Sequence, residues 1–138
     1  MRTNLPSSVI ELLTNRIDSF EKLELVVALH DAPRTTLSMD ALAEVLKLRR
    51  SGVRQAAEAL HAAALVDLLS SGEVQLLPPT NGDREAVAEL VRLYHDDRIT
   101  VITALGEIAV ERIRTMASRV FADAFVIRKK PRGGGDDA

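Results

Sequence analysis

The residues best suited to chemistry lie in one run, Lys47-Leu48-Arg49-Arg50-Ser51-Gly52-Val53-Arg54-Gln55, with Glu58 and His61 close behind. At the roughly 100° per residue of an α-helix, Val53, Ala56, Ala57, Leu60 and Ala64 share one arc. Arg50, Arg54, Gln55, Glu58 and His61 fall on the opposite side. Guanidinium and carboxamide groups can bond in pairs to the guanine and adenine edges exposed in the major groove of duplex DNA. Lys47 and Arg49, in the turn ahead of the helix, and Ser51 at its start suit phosphate oxygens. The small side chains of the other arc let such a helix pack closely on a neighbour. Against a DNA reading, Glu58 sits in the middle of the polar face and repels phosphate unless it accepts from a cytosine amino group. Arg54 and Glu58, four residues apart, are also spaced to pair with each other on a solvated surface.

Other chemistry finds little support. The three histidines are His30, His61 and His95, and none has a second histidine at metal-binding spacing. His95-Asp96-Asp97 offers ligand types, but a helix end explains the same residues. With no cysteine, there is no thiol nucleophile, disulfide or cysteine zinc cluster, and a reducing compartment fits. The glycines are isolated until the end of the chain, so no phosphate-cradling loop is present, and no Gly-x-Ser-x-Gly elbow occurs. Three phenylalanines and one tyrosine leave little to stack on single-stranded bases, against an RNA-binding role. The sequence therefore predicts a non-enzyme that needs no cofactor and no metal.

The elements that must position the polar run follow from periodicity and punctuation. Ser7 is expected to cap a helix carrying Val9, Ile10, Leu12, Leu13 and Ile17. Asp18 with Glu21 resembles a capping box for a second helix, with Phe20, Leu23, Val26, Val27 and His30, stopped by Pro33. Ser38 with Asp40 opens a third helix through Leu42, Ala43, Val45 and Leu46, and Ser51 a fourth over 51–65. The period then changes. Val66-Asp67-Leu68-Leu69 and Glu73-Val74-Gln75-Leu76-Leu77 flank Ser70-Ser71-Gly72 and predict a β-hairpin. Pro78-Pro79 ends it, and Asn81-Gly82-Asp83 predicts a turn and helix cap. Beyond Arg84 the pattern is helical, with Val87, Leu90, Val91 and Tyr94 on one face, and a long helix is expected from Arg98 to about Phe125. Ile99-Thr100-Val101-Ile102-Thr103 is β-branched enough for a strand, but the helical spacing continues past it.

On these residues the stretch 42–66 resembles the helix-turn-helix of bacterial regulators of the MarR and ArsR kind. The resembling features are Leu42-Ala43-Glu44 on the first helix, Ser51-Gly52-Val53 opening the next, and Leu65-Val66 leading into a wing. The resemblance spans about 19–77 and implies a mainly α fold with a small β-hairpin, a winged helix-turn-helix plus a C-terminal helical extension. It also implies double-stranded DNA as partner, with Lys47, Arg49, Arg50, Ser51, Arg54, Gln55 and His61 as candidate contacts. Two departures stand out. Ala64 occupies a position where that family usually has glycine, and the wing loop Ser70-Ser71-Gly72-Glu73 has no lysine or arginine.

Along the last helix, Ile99, Ile102, Gly106, Ala109, Ile113, Met116 and Val120 form a heptad-like seam with small residues at Gly106 and Ala109, and Leu105 beside it widens the apolar dimerisation surface. The seam predicts homodimerisation, which would present two recognition helices to successive half-sites; the alternative is that the helix folds back over its own domain. The expected organisation is thus 1–79 as the winged domain, 80–127 as the extension and 128–138 as a disordered basic and glycine-rich tail. A net charge of −2 from 18 basic and 20 acidic residues is unusual for a protein that lives on phosphate attraction, and it leaves a protein-interaction module as the alternative. The first residues lack the apolar run of a signal peptide, and the most apolar stretch, 99–110, is too short to span a bilayer. A cytoplasmic protein without a membrane partner is expected.

Overall fold

The computed structural model describes residues 5–129, and the side chains of those up to 122. Helix α1, Ser7–Asn15, buries Val9, Leu12 and Leu13 at helical spacing. Its start owes nothing to the Ser7 side chain, which is already helical. Pro6 precedes it with φ −59° and ψ 151°, and no side chain caps the helix. Helix α2, Phe20–Asp31, is capped by Ser19, whose Oγ accepts from the Lys22 N–H at 3.2 Å. Asp18 is therefore not the cap the sequence suggested; it holds the Lys22 ammonium at 2.6 Å instead. Leu23, Leu25, Val26, Val27 and Leu29 are all buried, because α2 runs through the middle of the molecule and packs on neighbours on several sides. Pro33, which cannot continue a helix, follows its end and opens a single 3₁₀ turn, Pro33–Thr35.

That turn leads into a strand not anticipated from the sequence, β1, Thr36–Ser38. The Ser38 hydroxyl then accepts from the Ala41 N–H at 3.1 Å and starts α3, Met39–Leu46. After α4, Arg50–Ala62, the chain forms the expected hairpin of β2, Val66–Leu68, and β3, Glu73–Leu76. The hairpin is two strands of an antiparallel sheet ordered β1-β3-β2, not a free-standing pair. Leu37 and Leu68 both lie opposite Val74, and Val66 lies opposite Leu76, so the apolar residues share the inward face.

Thr80, rather than Asn81, caps α5, Asn81–Asp96, through an Asp83 N–H to Thr80 Oγ1 bond of 3.0 Å. Asp97 accepts from the Thr100 N–H at 3.3 Å and its hydroxyl at 2.6 Å, opening α6, Arg98–Lys129. The β-branched run 99–103 is helical, and the helix includes Arg128 and Lys129, which the sequence assigned to the tail. The expected tail beyond them lies outside the described residues.

One apolar core runs from Val9 on α1 to Leu105 on α6. Within it, α1 packs against α5 and α6, while α2, α3, α4 and the sheet pack together. The first helix thus keeps company with the C-terminal extension rather than with the segment that follows it in sequence. A mainly helical chain with a three-stranded antiparallel sheet in this order is compatible with a winged helix-turn-helix. Among the described residues no helix is long and apolar enough to cross a membrane.

Candidate nucleic-acid interface

Two helices and a tight turn build the candidate surface. Helix α3 ends at Lys47, whose φ of 59° is left-handed, and the Leu48 N–H then reaches back to the Ala43 carbonyl at 3.1 Å. This reversal lets α4 start after only a short turn. Arg49 is extended and accepts the first helical bond from the Val53 N–H at 3.1 Å, so α4 begins at Arg50, one residue earlier than Ser51. Val53, Ala56, Ala57 and Leu60 are buried against α2 and α3. Ser51, Arg54, Gln55 and Glu58 are exposed, as are Lys47, Arg49 and Arg50 in and beside the turn.

Lys47, Arg49, Arg50, Ser51, Arg54 and Gln55 are therefore gathered at the turn and the N-terminal half of α4. The positive end of the helix dipole adds to the cations there. His61 is separated from them. It sits in the last turn, with Nδ1 3.1 Å from the Val66 carbonyl oxygen. Arg50 Nε lies 3.2 Å from Asp40 Oδ1, with side chains 61% and 78% exposed, an arrangement too solvated to hold the guanidinium firmly. Among the described residues Lys47, Arg49 and Arg54 have no ion-pair partner; the Arg54–Glu58 pair that the spacing allows is not formed. Glu44 and Glu58 stay exposed nearby.

The far end of α4 closes by a Schellman arrangement. The Leu65 N–H bonds to the Leu60 carbonyl at 3.0 Å and the Ala64 N–H to the His61 carbonyl at 2.9 Å. Ala64 adopts φ 66°, a left-handed conformation that favours glycine. In the hairpin loop Gly72 takes φ 95°, its N–H donates to the Leu69 carbonyl at 2.9 Å, and Ser71 Oγ donates to Glu73 Oε1 at 3.3 Å. The loop presents hydroxyls and a carboxylate, and no cation.

The seam on α6 divides in two. Leu105 is buried in the chain's own core with Val101 and Ala104, and Ile102 is half-buried against it, so these two expected dimerisation residues are not free for a second chain. Ile99, Gly106 and Ala109 are exposed, and so are Ile113 (66%), Met116 (57%), Val120 (66%) and Phe121 (75%). The last four, with Ala117, form an exposed, almost wholly apolar face of α6.

Polar ties join the elements behind this surface. Arg112 on α6 donates to Asp18 Oδ2 at 2.8 Å and also to the Thr14 carbonyl. Partial burial works to raise the Asp18 carboxyl, but Lys22 and Arg112 outweigh it and hold it below the usual carboxylate range. Hydrogen bonds from Arg16 hold Asp83 low in the same way. Tyr94 donates to Glu24, and Arg98 stands 5.4 Å over its ring. Burial and the Glu24 carboxylate push the Tyr94 phenol up to about 12. His95 Nε2 meets Asp31 Oδ2 at 2.8 Å. Among the described residues no group of three or more histidines and carboxylates is placed to hold a metal.

No protein-family model matches the chain, and neither does any curated protein. Among solved structures it is similar to the YusO protein from Bacillus subtilis at 13% identity and a TM-score of 0.45, over 89% of this chain and 84% of that one. A likeness of that size bears on neither fold nor function.

Proposed function

We propose that the chain is a winged-helix DNA-binding regulator of transcription, cytoplasmic and acting as a homodimer. The observation that carries this reading is the face of α4. Arg54, Gln55 and Ser51 project to solvent beside Lys47 and Arg49, while the alanine-rich face holds the helix against the core. In this reading Arg50, Arg54 and Gln55 contact base edges in the major groove, and Lys47, Arg49 and Ser51 contact phosphates. His61, at the other end of the helix, takes no direct part. A second copy covers Ile113, Met116, Val120 and Phe121 on α6.

The exposed carboxylates of Asp40, Glu44 and Glu58 and the cation-free hairpin loop favour a second reading, in which the same surface docks a protein partner. Retention of genomic DNA fragments across a salt series separates the two. The regulator reading expects log affinity to fall with log salt at a slope of about −3 or steeper, from the lysine and arginine contacts of two protomers. It also expects Arg50→Glu with Arg54→Glu to abolish retention. No retention even at low salt would leave the protein-docking reading.

A further inference from the structure

Arg16, just beyond the end of α1, bonds to two other elements at once. Its Nη1 and Nη2 donate to Asp83 Oδ1 at 2.9 Å and Oδ2 at 3.2 Å. Its Nε and Nη2 donate to the Ala63 carbonyl at 3.2 and 3.0 Å. Ala63 is the C-cap of α4, and Asp83 lies in the first turn of α5. An α-helix leaves its last carbonyls without intrahelical donors and its C-terminus partly negative. The guanidinium therefore completes the end of α4 while its own charge is balanced by a carboxylate at the positive end of α5. Both side chains are only 25% exposed, and the contact to the carboxylate is forked.

Resting on the regulator reading above, we propose that Arg16 is a positioning residue that fixes the angle of α4 against the α1, α5 and α6 bundle, and so the separation of the two recognition helices in a dimer. The principal packing of α4 is on α2, α3 and β2. Among the described residues the side-chain hydrogen bonds that tie its C-terminal end to α1 and α5 are those of Arg16. The lever is long. The 13 residues of α4 span about 20 Å, so a tilt of about 10° about its anchored end moves the base-reading end by about 3 Å. That is close to the roughly 3.4 Å step between successive base pairs. A planar guanidinium fork resists such a tilt; a lysine ammonium, one charge on a flexible stem, does not.

The test compares the full chain with Arg16→Lys and with Asp83→Asn, well below their unfolding temperatures. A retained DNA fragment is rebuilt as a set with different half-site separations. The wild type is expected to favour one separation, near one helical turn. Arg16→Lys is expected to weaken the favoured site by about tenfold, toward the others, as the two sites stop acting together. Its salt slope becomes shallower as the contacts of one protomer are lost, its mass by light scattering stays unchanged, and Asp83→Asn gives a smaller loss. A variant that keeps the wild-type spacing preference overturns the proposal and leaves Arg16 a contributor to stability only. Should the wild type bind no DNA, the regulator reading fails, and a DNA-free readout judges Arg16. The chain has no cysteine, so Glu58→Cys with Glu107→Cys takes one pair of spin labels, diluted into unlabelled protein. Arg16→Lys broadens or shifts the distance distribution if the residue positions α4. An unchanged distribution overturns the proposal.

Discussion

Ala64→Gly should make the protein more stable, although it removes a side-chain carbon. Ala64 sits at φ 66° where α4 turns into β2, and the bonds Leu65 N–H to Leu60 O and Ala64 N–H to His61 O hold it there. A Cβ in the left-handed region costs about 1–2 kcal/mol. Glycine gives back about 0.4–1 kcal/mol through the extra freedom of the unfolded chain. The net expectation is a gain of about 0.5–1 kcal/mol. An unfolding entropy of about 2.1 cal/mol/K per residue over 138 residues is about 0.3 kcal/mol/K, so Tm should rise by about 2–3 °C. Because Ala64 is exposed, no cavity offsets the gain. The paired control is Ala88→Gly, exposed in the interior of α5, which should lose about 0.5–1 kcal/mol for ordinary helix reasons. Thermal and urea unfolding followed by circular dichroism measure both. If Ala64→Gly lowers stability as Ala88→Gly does, the left-handed cap at the end of α4 is wrong.

Ile113→Ala should weaken self-association. Ile113 is 66% exposed in the single chain, so a second copy would cover about two thirds of a side chain worth about 1.5–3 kcal/mol when fully buried. Counted on both protomers, that is about 2–4 kcal/mol, a dissociation constant raised roughly thirtyfold to several-hundredfold. Light scattering over a dilution series reads it, and an unchanged constant places the interface elsewhere. Acid should destabilise the wild type through Asp18 and Asp83. Both carboxyls lie low in the folded protein, so their contribution is complete above the unfolded value near 4 and is lost as pH falls through the folded one. Asp83→Asn should therefore be less stable than the wild type at pH 6, with the gap closing toward about pH 2. A gap independent of pH would contradict the ion pair with Arg16.

What the sequence made legible depended on how local each cause was. The alanine face of α4 and the hairpin follow from periods of 3.6 and 2, and Ser38 was identifiable as a cap from its neighbours alone. At the start of α2 the spacing to Glu21 points to Asp18 as the cap; Ser19 caps the helix instead, and Asp18 pairs with Lys22 and with Arg112, which is remote in sequence. Strand β1 has three residues, too few to show alternation, and it follows a turn in which Arg34 and Thr35 carry positive φ without a glycine to mark it. The heptad-like spacing on α6 was real but could not say which copy it faces. Val101, Ala104 and Leu105 turn inward, and the uncovered surface lies further along, at Ile113, Met116 and Val120. In the sequence Arg16 is a lone arginine after a helix, and its partners Ala63 and Asp83 come together with it only in the fold.

Protection of guanine N7 from methylation tests the central claim most directly, because that atom faces the major groove and is a natural acceptor for an arginine. On a retained fragment, the wild type should shield guanines in two patches, one per recognition helix. Arg54→Ala should lose protection at one guanine in each patch and keep the rest. Protection that is absent, or that is indifferent to Arg54, would mean that α4 does not read DNA.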